Sequence, residues 1–143
     1  MRAFSLIEII VVLGIMSILA VTVVSSYKAV LSSDDAYHAA KLYANALHEA
    51  EGSARTMQYD TANGVAIASS QIVIFSGASY ASRVTSRDRS YPLPSGLTTA
   101  GVTEVVFAKY SGLPGTTGTT TFSNTYASST VSVWSGGVIT HTP

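Results

Sequence analysis

Cysteine is absent from all 143 residues, which excludes a disulfide framework, a thiolate metal site and a cysteine nucleophile. Charge is scarce as well: Asp and Glu total 8, Lys and Arg total 8, and the formal net charge is zero. Such a composition names no nucleic acid or anionic lipid as partner, although charge can still gather locally. Stability must come from apolar burial and backbone pairing. Proline is missing, and glycine is reduced to Gly14, between Phe4 and Glu51, so nothing there forces a helix to stop. No Gly-x-Ser-x-Gly elbow occurs, and hydroxyls without a placed base are inert. His38, His48 and His141 lack metal-ligand spacing and read as solvated surface residues. The chain therefore reads as non-enzymatic, with no metal and no cofactor.

What the chain does have is a long apolar run, residues 4–24, interrupted by a single acidic side chain, Glu8. Its length of about 21 residues suits a bilayer crossing and exceeds the usual secretory h-region. A carboxylate in such a run is costly in lipid unless a positive group meets it. No Lys or Arg lies within the run to do so, which places the partner on another molecule. The helix is expected to continue beyond lipid to about Met57, because Ala36, Ala40, Tyr43, Leu47, Ala50 and Ala54 follow steps of four and three and share one face. At 1.5 Å per residue it would reach about 80 Å, of which only about 30 Å fits the hydrocarbon core. Residues 60–64 read as the turn that ends it.

Further on, the period shortens. Residues 65–67, 71–75, 103–108, 119–122, 131–134 and 138–140 are short β-rich runs separated by Gly, Ser, Asn or Pro, the pattern of antiparallel hairpins. Ser135-Gly136-Gly137 marks a tight turn between the last two. Phe75, Phe107, Phe122 and Trp134 fall within strand-like runs and are expected in the core. Residues 80–101, with three arginines and two prolines, read as an exposed loop over the sheet. Within it Arg83, Arg87 and Arg89 form the only basic cluster, flanked by Tyr80 and Tyr91. Basic and aromatic groups interleaved in this way can touch phosphates and stack on single-stranded bases.

Ala3 followed by Phe4-Ser5-Leu6-Ile7-Glu8 and the long apolar stretch resembles the class III signal of type IV pilins and pseudopilins. A thinner resemblance, to the minor pilins of the fimbrial T and type II secretion H kind, rests on Ala46-Leu47-His48-Glu49-Ala50-Glu51-Gly52-Ser53-Ala54-Arg55, Gly64-Val65, Ile74-Phe75, Val106-Phe107, Ser111-Gly112 and Gly137-Val138-Ile139. The resemblance implies an α+β fold, a long N-terminal helix with a hydrophobic then an amphipathic half, packed on a small antiparallel sheet. It divides the chain into a leader (1–3), a membrane and filament-core helix (4–27), the amphipathic half (28–57) and a β-rich head (58–143). It also implies cleavage between Ala3 and Phe4 by a prepilin peptidase and N-methylation of Phe4. Two features depart from the pattern: Met1-Arg2-Ala3 is a short leader, and Ala3 stands where the family usually has Gly. Either the peptidase accepts them or the true start lies upstream.

Cleavage there would free an α-amine with an ordinary pKa near 8, the positive charge that Glu8 lacks. In a filament its natural partner is the Glu8 of an adjacent subunit, which would set axial register. The implied partners are identical or related pilin subunits, the peptidase, an inner-membrane assembly platform and, before assembly, the bilayer. The alternative function is DNA uptake by a minor pilin through Arg83, Arg87 and Arg89; a third reading is an unprocessed membrane-anchored domain.

Overall fold

The computed structural model describes residues 5–143, apart from the side chains of residues 22–33. Its longest element, α1 (Leu6–Arg55), has 50 residues, about 75 Å at the usual helical rise. In its second half Ala36, Ala40, Tyr43, Leu47, Ala50 and Ala54 are each 0% exposed, so the stripe read from the spacing is the buried face. The helix stops at Arg55, slightly before Met57. Met57, Tyr59 and Asp60 take left-handed backbone, with φ of 56°, 64° and 57°, which ends right-handed i→i−4 pairing. Thr56 closes the last turn by donating both its N–H and its Oγ1 hydrogen to the Gly52 carbonyl at 3.0 Å. Among the described residues no helix is long and apolar enough to cross a membrane. The expected 4–27 span includes Phe4 and the side chains of 22–27, which lie outside them.

The rest of the chain is β-rich, giving an α+β protein, but it forms two four-stranded antiparallel sheets rather than one small sheet. The strands are β1 (Asn63–Ala68), β2 (Gln71–Ser76), β3 (Arg89–Pro92), β4 (Thr98–Gly101), β5 (Glu104–Phe107), β6 (Gly118–Ser123), β7 (Ser128–Val133) and β8 (Ile139–Thr142). Sheet one has the order β3-β2-β1-β5 and sheet two β4-β6-β7-β8. Residues 80–101 are thus more than a loop, since they contribute an edge strand to each sheet. Pro92 is tolerated because an edge strand has one side without ladder partners. The turn between β1 and β2 is Ser69-Ser70, with φ of 50° and 58°, the left-handed pair that a two-residue hairpin requires.

Both sheets pack on α1. Val65, Ile72, Ile74, Val105 and Phe107 from sheet one and Phe122, Val131 and Val133 from sheet two join the helix stripe in one buried cluster. Phe75 is buried too, but Trp134 is not: it is 60% exposed. β7 ends at Val133, and its alternation turns Val131 and Val133 inward, so Trp134 falls on the outward phase.

Tyr43 has a cost that the other core residues do not. Its hydroxyl is buried without a hydrogen-bond partner among the described residues, and the hydroxyl of Thr120 donates instead to the Val102 carbonyl at 2.5 Å. Burial pushes the phenol up to about 12. The folded chain therefore keeps this proton while an unfolded chain releases it near pH 10. The associated stability is complete below pH 10 and is lost as pH rises through about 12. Tyr43→Phe is expected to raise stability by about 1 kcal/mol at pH 8, because an unpaired buried hydroxyl is removed. It should also remove about 1 kcal/mol of the loss between pH 8 and pH 11. Urea unfolding at the two pH values checks both; a variant less stable than the parent at pH 8 would show that the hydroxyl is satisfied.

Candidate functional site

The first half of α1 is built differently from the second. Between Leu6 and Val21, twelve large apolar side chains are each 50–75% exposed. Isolated apolar residues on a surface are ordinary, but a contiguous apolar surface of this extent is not. Its polar groups are muted: the Ser17 hydroxyl donates to the Leu13 carbonyl at 2.7 Å, so it presents no free donor.

Glu8 sits in the first turn of this helix, beside a shallow groove of about 320 Å³ shared with Ile9, Val12 and Leu13. The positive end of the helix dipole favours a carboxylate at this point. Ser5 is the N-cap residue and makes no side-chain capping bond, although Ser5-x-x-Glu8 has capping-box spacing. That spacing is visible in the sequence and offers Glu8 a second, local role. Ala3 and Phe4, the expected cleavage site, lie outside the described residues.

Arg87 and Arg89 line one cavity of about 370 Å³ with Tyr59 and Asp88, and Arg83 is not part of its lining. Arg83 donates from Nε to Asp88 Oδ2 and from Nη1 to the Tyr80 carbonyl, both at 2.7 Å, and its guanidinium lies 3.7 Å from the Tyr80 ring centre. The bond to Asp88 holds Arg83 above its ordinary pKa. Arg87 stacks 4.2 Å over Tyr59, and Arg89 pairs with Glu49 on α1. Each cation thus has an internal partner: Arg83 ties its own loop together, while Arg87 and Arg89, both exposed, reach Tyr59 just after the helix and Glu49 on it.

Comparison with protein-family models, with curated proteins and with solved structures finds no match for this chain.

Of the histidines, His38 and His48 are exposed. His141 is half-buried, with Nε2 2.8 Å from Ser129 Oγ and its ring 5.0 Å from that of Tyr37. It ties β8 to α1, a role its place in the sequence does not reveal. Among the described residues no three His, Asp or Glu side chains converge to hold a metal ion.

Proposed function

We propose that this protein is a structural subunit of a membrane-anchored helical filament, of the type IV pilus or type II secretion pseudopilus kind, assembled through the first half of α1. The observation that carries the proposal is the contrast along a single helix. From Asp34 onward it buries a stripe against two sheets, whereas from Leu6 to Val21 its large apolar side chains are each at least half exposed. A packed head with a bare apolar stalk suits a protein that is stored in lipid and then moves into a bundle of identical helices. Lipid and helix bundle are similarly apolar, so packing and polar pairing decide the exchange. Glu8 is the one charged side chain on that stalk, and the partner argued for it is the α-amine released by cleavage before Phe4.

In this reading the subunit waits in the inner membrane, is processed by a prepilin peptidase, and is drawn by an assembly platform into an extracellular or periplasmic filament. Mass spectrometry of filaments sheared from cells is the direct test. The expected result is an abundant species beginning at methylated Phe4. A chain retained in membranes with Met1 still attached would instead favour an unprocessed anchored domain. The internal partners of Arg83, Arg87 and Arg89 weigh against DNA uptake as the main role.

A further inference from the structure

Sheet two contains no Asp, Glu, Lys or Arg, and no such residue follows Lys109 in the chain. Its inner face packs on α1. Its outer face is paved with hydroxyls in cross-strand rows: Thr119, Ser132 and Thr140 are mutually in register, as are Thr121, Thr130 and Thr142. Thr119 and Ser132 oxygens are 3.2 Å apart and those of Thr121 and Thr130 3.4 Å. A hydroxyl paired in this way still has lone pairs, and in part a proton, to offer outward.

Trp134 stands beside the first row, two residues beyond Ser132, 60% exposed, with its indole N–H directed to Thr140 Oγ1 at 3.5 Å. A cavity of about 220 Å³ opens beside it, lined also by Thr117, Gly118, Thr119, Ser132, Val133 and Ser135.

We infer that this face is a docking surface for a neutral polysaccharide, with Trp134 as the aromatic platform and the hydroxyl rows as the hydrogen-bonding track. The strands themselves offer nucleic acid, anionic lipid and acidic glycans no counter-charge, and the nearby Arg55, beside Gly137, is already paired with Glu51. A protein partner is a poorer fit, because protein interfaces centre on a broad desolvated apolar core, and here the apolar area is confined to Trp134 and the exposed Val138 hydrogen-bonded to it, beside the hydroxyl rows. A pyranose ring has the matching chemistry: an apolar C–H face to lie on indole and uncharged hydroxyls around its rim. The inference is independent of the filament reading.

Trp134 is the only tryptophan in the chain, so its fluorescence reports occupancy directly. The full-length chain, held in a detergent without sugar headgroups, would be titrated with cellohexaose and chitohexaose to about 10 mM, the range of weak single-platform affinities. A saturable spectral shift with at least one of them, and none with polygalacturonate, is expected. Co-sedimentation with cellulose and chitin powders should then fall roughly tenfold for Trp134→Ala, the loss of one aromatic anchor, and fall measurably for Thr119→Val with Thr140→Val. The circular dichroism of both variants should stay unchanged, since all three side chains are exposed. No shift with either sugar, an equal response to polygalacturonate, unchanged sedimentation of Trp134→Ala, or a shift that follows protein concentration alone would overturn the inference. The last outcome would assign the face to a second copy of the chain.

Discussion

Phe122→Ala should cost about 3–5 kcal/mol of folding stability, a large share of the 5–15 kcal/mol typical of a domain. Phe122 is 0% exposed and meets Tyr43 edge to face, ring centres 5.5 Å apart. The helix face that it packs on is mostly alanine: Ala36, Ala39, Ala40, Ala44, Ala46, Ala50 and Ala54 are all buried. Alanine lets the sheets approach closely, but it leaves the core volume to be supplied by a few large side chains. Around a truncated Phe122 the neighbouring alanines cannot re-extend into the space, so the cavity persists and its cost adds to the lost burial. Urea unfolding of the full chain, followed by circular dichroism, measures the effect. Trp134→Ala is the control, a surface change expected to stay within about 0.5 kcal/mol. A loss under about 1.5 kcal/mol for Phe122→Ala would mean that the two sheets share the helix less tightly than their common core implies.

The same alanine-rich face explains why the helix was the most legible element in the sequence. A stripe at steps of three and four has one structural solution, and every residue placed on it is buried. Strand runs were legible one at a time, because period two identifies a strand without naming its neighbour. Nothing local distinguishes β5, which joins sheet one, from β4 just before it, which joins sheet two. β3 and β4 were hidden by composition: an edge strand needs little apolar content on its outer side, so Arg89-Ser90-Tyr91-Pro92 looks like loop until its pairing with β2 is seen. Trp134 misled because an aromatic after Val131 and Val133 looks like core, yet one position of phase decides its side of the sheet. Arg83 pairs locally with Asp88, but the partners of Arg87 and Arg89, Tyr59 and Glu49, come from distant parts of the chain. Such long-range contacts leave no periodic trace. The exposed stalk was legible as an apolar run with one carboxylate; its meeting partner is not written in a single chain.

Glu8→Val is expected to leave membrane insertion intact and to lower filament yield by roughly a hundredfold or more. Valine is at home in an apolar run, so insertion becomes easier if it changes at all. Assembly is different. A charge pair in a dry bundle depends on both members, and losing one is expected to cost about 3–5 kcal/mol, since the remaining charge is left uncompensated. Each 1.4 kcal/mol is a factor of ten in an equilibrium constant, which gives the stated loss. The competing role for Glu8 is local, as the third-position member of a Ser5-x-x-Glu8 capping box at the start of α1. Glu8→Gln separates the two. Glutamine can reach back to the Ser5 N–H as glutamate can, but it cannot pair with an ammonium group as an ion. If Glu8 holds the amine of a neighbouring subunit, Glu8→Gln should fail to assemble nearly as badly as Glu8→Val, while Ser5→Ala assembles. If Glu8 only caps its own helix, Glu8→Gln should assemble normally and the intersubunit pair would have to be abandoned. Counting filaments by electron microscopy, with membrane-fraction blots to confirm equal insertion, reads all three variants on one scale.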